Sequence, residues 1–147
     1  MKLKSLLCGI LAASVLTFSA FAMDGQPTVH PEWAEQCSAV PDLCHRFIAD
    51  TAEPQSEIVF FPEDTVTDFR LLSLFLEDVD ENGNLRFSVT PLCTLAALSP
   101  DIPLLVNLTF YGDLPGYGIA YTDTDGTEKQ FCFGISGMDG SLFLSEF

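Results

Sequence analysis

The spacing of hydrophobic and polar positions divides the chain into two textures. From residue 57 onward, short runs rich in Val, Ile, Leu, Phe and Tyr are bounded by Gly, Pro, Asp and Asn. Residues 57–61, 69–78, 84–90, 104–111, 117–122, 129–135 and 142–147 accordingly read as strands. Turn signals recur at short intervals, which predicts an antiparallel meander of about seven strands. The stretch FRLLSLFLED, residues 69–78, is apolar at both odd and even positions, as expected of a central strand covered on both faces. Residues 91–103, PLCTLAALSPDIP, carry three prolines and read as a crossing segment or short helix rather than sheet interior.

Upstream of residue 57 the signals are different. Pro31 suits the first turn of a helix, Glu32 and Glu35 would sit near its positive end, and Pro41 disfavours helical geometry at Val40. Residues 31–40 and 41–50 therefore read as one broken helix or two short ones, with Trp33, Leu43, Phe47 and Ile48 as an apolar face available to cover the sheet. The expected fold class is α+β: a single antiparallel sheet or meander preceded by these helices. A small β-barrel or sandwich is the alternative.

The stretch EDVDENGNLRF, residues 77–87, allows two readings. Asp78, Asp80 and Asn82 alternate ahead of Gly83 as in the first half of an EF-hand loop. Position twelve, where that loop needs a bidentate Glu, is Val89, and the flanks are strand-like. As a hairpin closed by a three-residue corner, Glu81-Asn82-Gly83, the same residues pair Asp78 with Arg86, Val79 with Leu85 and Phe75 with Val89. Polar then meets polar and apolar meets apolar, Glu77 opposite Phe87 being the exception. A Thr124-Asp125-Gly126 corner does the same downstream, setting Tyr117 against Phe133, Ile119 against Phe131, Tyr121 against Lys129, Ala120 against Gln130 and Thr122 against Glu128. A one-residue slip would exchange the two faces, so the segregation supports this register. The hairpin is the preferred reading, with a weak calcium site at Asp78, Asp80 and Asn82 as the alternative.

Composition narrows the function. Lys2 and Lys4 precede an apolar run over residues 6–18 and a small-residue Ala20-Phe21-Ala22 end, which reads as a cleaved export signal over 1–22. Residues 23–147 then form one domain, exported to a periplasmic or secreted location, with no stable membrane insertion after cleavage. That segment carries four basic side chains (Arg46, Arg70, Arg86 and Lys129) against 21 acidic ones, a net charge of −17. Such a field excludes nucleic acid as a partner and attracts a basic protein. Its four cysteines, Cys37, Cys44, Cys93 and Cys132, read as two disulfides in an exported chain. Three connectivities exist, and Cys37 with Cys44 and Cys93 with Cys132 are favoured. A zinc site from His30, Cys37, Cys44 and His45 matches no usual finger spacing.

Few residues suggest chemistry. The GISGM stretch, 134–138, lacks the second glycine of a nucleophile elbow and precedes a strand. No phosphate-binding loop is present and no cofactor is implied. YGDLPGYG, residues 111–118, is a candidate binding loop, with Tyr111 and Tyr117 as aromatic contacts and Asp113 to meet a cation. FFPEDTVTDF, residues 60–69, is a second one, contributing Glu63, Asp64 and Asp68. The overall profile of signal, cysteines, compact sheet and acidic surface is similar to that of small exported lysozyme inhibitors and toxin-immunity proteins, without a shared motif. We therefore expect a non-enzymatic, acidic binding protein of inhibitor or immunity type, directed at a basic envelope or secreted protein. A β-domain for a small ligand or a divalent metal is the alternative.

Overall fold

Both glycine-ended corners form. Gly83 and Gly126 each adopt φ +84°, and each donates its N–H to the residue three positions earlier, Asp80 or Asp123. A β-carbon would strain that left-handed backbone, which is why glycine ends the corner. The structure is a computed structural model that describes residues 25–112 and 114–147. The export signal read over 1–22 and the candidate binding residue Asp113 lie outside the described residues.

Nine strands follow in order: β1 Val29–Trp33, β2 His45–Ile48, β3 Ser56–Pro62, β4 Val66–Val79, β5 Leu85–Leu98, β6 Leu104–Leu108, β7 Tyr117–Thr122, β8 Glu128–Ile135 and β9 Leu142–Glu146. They make two sheets, β1-β3-β6-β2 and β5-β4-β7-β8-β9. A shared core lies between the sheets. Ile58, Phe60, Leu104, Val106 and Leu108 from the first meet Phe69, Leu71, Ile119, Tyr121, Phe131 and Phe133 from the second. Phe60 is its pivot, with its ring centroid 5.3 Å from Phe133 and 6.1 Å from Phe69.

The α+β expectation of one sheet behind N-terminal helices is corrected. Among the described residues the only helical element is the single 3₁₀ turn Ala34–Gln36, and the segments read as helices supply β1 and β2. Val29, Pro31 and Trp33 alternate with the more polar His30 and Glu32, so the period is two rather than 3.6. Pro31 is accommodated because β1 is an edge strand, where an N–H can go unpaired. β2 is held by parallel pairing to β6, a contact between residues far apart in sequence. Since β1 and β2 run the same way at opposite edges of one sheet, residues 34–44 must cross back over that sheet. Val59 and Leu105, on the face away from the shared core, are buried.

Residues 91–98 also differ from expectation, because they continue β5 instead of crossing. Pro91 is tolerated on this second edge strand beside a bulge: Leu71 pairs with Cys93 and Leu72 with Pro91, leaving Leu92 as the extra residue. A second bulge at Glu77 lies near the hairpin tip. Asp78 pairs with Arg86 and Val79 with Leu85 as expected, but below the bulge Phe75 pairs with Ser88 and Leu74 with Val89. The two bulges cancel, and the expected register returns from Leu71 onward. Every pairing expected between β7 and β8 is present.

β4 lies inside its sheet, between β5 and β7, and is apolar on both faces. Its outer face carries a second cluster of Leu72, Leu74, Ala120 and Cys132 with Phe87 against it. Among the described residues no helix covers this face. Phe87 meets the ring of the terminal Phe147 at 5.3 Å across it. Gly118 lies on the same face, where an added β-carbon would sit 2.7 Å from the Phe131 carbonyl oxygen. Gly118→Ala is therefore expected to force β7 away from β8 and to lower stability by about 1–3 kcal/mol, read from the urea midpoint.

Candidate functional site

Pairing within the first sheet separates the two binding loops proposed from the sequence. Ser56 at the start of β3 pairs with Leu108, three residues before Tyr111, whereas Glu63 follows Pro62 at the far end of β3. The loops thus sit at opposite ends of the sandwich, roughly 20 Å apart along a seven-residue strand. Glu63, Asp64 and Asp68 share their end with Asp123, Asp125 and Glu128, because Thr67 pairs with Thr122. Much of that acidity is matched locally. Glu63 accepts from His30 at 2.7 Å, and Arg70 donates to Glu128 at 2.6 Å with its Nε 3.8 Å from Asp68. Asp68 itself occupies the left-handed region, φ +48°, where the β4–β7 register shifts.

The two tyrosines of the other loop have different fates. Tyr117 is a core residue, stacked on Phe133 at 5.9 Å. Tyr111 is 62% exposed and donates its phenol proton to Asp50 Oδ2 at 2.6 Å. They meet around a notch of about 420 Å³ where the two sheets part. Asp50, just after β2, stands on one side. Ser73 and Leu74 of β4 and Leu92 of β5 form the other. Leu74 N–H bonds to Gly116 O at 2.9 Å, tying the loop to β4, and Phe75 and Leu114 in the adjoining stretches of chain are 72% and 55% exposed.

Electrostatics fix the state of this notch. The Tyr111 hydrogen bond, followed by the Ala52 N–H on Oδ1, holds the Asp50 carboxyl below its ordinary value. The same bond raises the Tyr111 phenol, and burial followed by the Asp50 charge raises that of Tyr117. One fixed anion therefore sits among neutral rings. Asp50, Ser73 and Leu92 were not singled out from sequence, since a lone aspartate after a strand looks like any of its many counterparts. No family model matches the chain, and no curated protein or solved structure is significantly similar to it.

At the β4–β5 tip, Asp80 turns its oxygens inward to the corner. Oδ1 accepts from the N–H groups of Asn82 and Asn84 at 2.8 and 2.9 Å, and Oδ2 accepts from Asn84 Nδ2 at 2.9 Å. Asp78 caps the Val79 N–H and faces Arg86. Asp78, Asp80 and Asn82 here form the tip of a hairpin. Among the described residues no group of three or more His, Cys, Asp or Glu side chains gathers in a metal-ligating arrangement.

Among the described residues the four cysteines, Cys37, Cys44, Cys93 and Cys132, are free thiols. The expected Cys93–Cys132 bridge is corrected by topology. β5 and β8 are separated by β4 and β7, about 14 Å at sheet spacing, while a disulfide needs Cα atoms within about 7 Å. The two also face opposite ways, Cys93 to the shared core and Cys132 to the outer cluster. The favoured Cys37–Cys44 bridge is not formed either; Cys37 instead has its thiol 3.3 Å from the Trp33 carbonyl oxygen. Burial raises Cys93 and Cys132, and burial with the Glu32 charge raises Cys37, so these three favour the protonated, weakly nucleophilic form. Cys132 lines an open cleft of about 620 Å³ on the outer face with Leu85, Phe87, Ser145, Glu146 and Phe147.

Proposed function

We propose that this is an exported, non-enzymatic acidic protein that binds a basic envelope or secreted protein, as an inhibitor or immunity factor would. The observation that carries the reading is where the cations lie. Lys129 is buried against Asp123 and Arg70 is taken up by Glu128 and Asp68, which leaves Arg46 and Arg86 as the outward basic groups of the described chain. The external field is thus almost wholly negative, and such a field steers a cationic partner and accelerates its capture. Exposed Phe75, Tyr111 and Leu114 supply apolar contact area at one end.

Immobilised protein is expected to retain a basic protein from an envelope extract at about 10 mM salt, with an association rate at least tenfold lower at about 150 mM. Retention of nothing basic at low salt overturns the reading. The outer cleft favours a second one, a small apolar ligand, since its volume falls within the range of ligand sites. A thermal upshift with neutral apolar probes, lost in Phe87→Ser, is the outcome that reading requires.

A further inference from the structure

We propose that the notch between the sheets receives one lysine or arginine side chain of the basic partner, with Asp50 as its anion and Tyr111 and Tyr117 as its walls. The inference rests on the function proposed above and names the contact that would give it specificity. Asp50 is fixed from both sides, by Ala52 N–H on Oδ1 at 2.8 Å and by the Tyr111 phenol on Oδ2 at 2.6 Å. Each carboxylate oxygen retains a lone pair for an incoming N–H donor. Among the described residues Asp50 has no ion-pair partner, unlike Asp68, Asp123 and Glu128 at the other end.

The walls suit the rest of such a side chain. Leu92 offers apolar surface to a methylene stem, and the exposed Tyr111 ring offers a face to a cationic head. A volume of about 420 Å³ holds one long side chain with room for water. Phe75, next in sequence to Leu74, and Leu114, two residues before Gly116, are exposed apolar side chains available to residues flanking that side chain. An anionic or neutral occupant would leave the Asp50 charge unpaired as water was expelled, so charge complementarity selects a cation.

The test is an NMR titration of the ¹⁵N-labelled protein with three capped tripeptide amides, Gly-Lys-Gly, Gly-Arg-Gly and Gly-Gln-Gly. The lysine or arginine peptide is expected to give saturable shifts at Ala52, Ser73, Leu92 and Gly116, and the glutamine peptide none. Asp50→Asn, isosteric and able to keep the Ala52 contact, should weaken that binding about tenfold while leaving the spectrum dispersed. Tyr111→Phe, which keeps the charge and frees its orientation, should weaken it by a smaller factor. Shifts centred on Glu63, Asp68 and Asp125, unchanged in Asp50→Asn, would overturn the notch while leaving a basic partner intact. Equal shifts with the glutamine peptide would overturn the notch as a cation site. Absence of shifts with either cationic peptide, in a protein that still captures a basic protein at low salt, would overturn the notch alone; absence of both would remove the underlying function as well.

Discussion

Phe133→Ala is expected to lower the unfolding free energy by about 3–5 kcal/mol, a large part of the roughly 5–15 kcal/mol typical of a domain. Phe133 is fully buried on β8 and projects into the space between the sheets. Its ring lies edge-on to Phe60 of the opposite sheet at 5.3 Å and to Phe110 at 6.2 Å, and stacks on Tyr117 at 5.9 Å. Truncation removes the transfer free energy of the ring and leaves a cavity that both sheets must collapse to fill. Aromatic pairing adds about 0.5–1.5 kcal/mol per contact beyond burial, so the cost belongs at the upper end. The measurement is urea unfolding followed through Trp33, the sole tryptophan, which packs on Phe110 at 6.0 Å. The midpoint should fall with little change in slope. Phe75→Ala is the control: the same chemical change on a ring 72% exposed should move stability by less than about 0.5 kcal/mol.

That contrast also shows what the chain discloses about itself. Positions such as Phe131 and Phe133, alternating with Gln130 and Cys132, carry a two-residue period that fixes both strand and facing, and the β7–β8 register follows from it pair by pair. Gly83 and Gly126 mark their corners because few other residues tolerate that backbone. Local rules lose at Pro31 and at Pro91, where proline reads as a helix start or a strand breaker. What admits each one is membership of an edge strand, a property of sheet order that no local window contains. The bulges at Glu77 and Leu92 are hidden for the same reason, since each is defined by the partner strand. The helix reading of residues 31–50 fails because propensity is a weak bias, and pairing to β3 and β6 outweighs it. The disulfide reading of Cys93 and Cys132 fails on facing and strand order together.

Of the candidate site, the sequence discloses the tyrosines and the charge but not their grouping. Tyr111 and Tyr117 stand out as an aromatic pair around a Pro-Gly turn, and the pair does border one notch. Their acidic partner in the structure is Asp50, sixty-one positions before Tyr111, and no spacing rule reaches that far. The acidic residues of the 60–69 loop, equally plausible by composition, belong to the opposite end, where Glu63 bonds to His30 and Asp68 lies near Arg70. Binding loops are therefore legible as loops, while their grouping depends on which ends of the strands the topology brings together.

At that opposite end, Lys129→Met is expected to cost about 3–5 kcal/mol at neutral pH, because it leaves a buried carboxylate without its counter-charge. Lys129 Nζ lies 2.8 Å from Asp123 Oδ2, both side chains are 8% exposed, and the same ammonium donates to Gln26 O at 2.7 Å. Thr28 N–H donates to Tyr121 Oη at 2.9 Å beside it, so the pair also pins the segment that leads into β1. Burial works against ionisation of Asp123, but the Lys129 hydrogen bond, the Thr124 N–H and the Lys129 charge outweigh it and hold the carboxyl below its ordinary value. Burial likewise disfavours the Lys129 ammonium, yet the bond and charge of Asp123 raise its pKa. A lowered Asp123 stabilises fully above the ordinary carboxylate value of about 3.9, and that stabilisation is lost as pH falls through the folded value. A raised Lys129 stabilises fully below about 10.4 and loses its contribution as pH rises through its folded value. In Lys129→Met burial is left to raise the Asp123 carboxyl, so the stability difference should begin to shrink as pH falls through that raised value, and on the alkaline side it should hold to about pH 9 and shrink above it. Asp123→Asn should reproduce most of the loss, and the double variant should cost less than the two single changes together by about 1–3 kcal/mol. Additive costs, or a difference that persists unchanged to pH 2, would mean that Lys129 acts through its apolar stem and Gln26 rather than through the ion pair. Faster amide exchange at Thr28 in Lys129→Met, with β7–β8 protection intact, would place the first opening at the entry to β1.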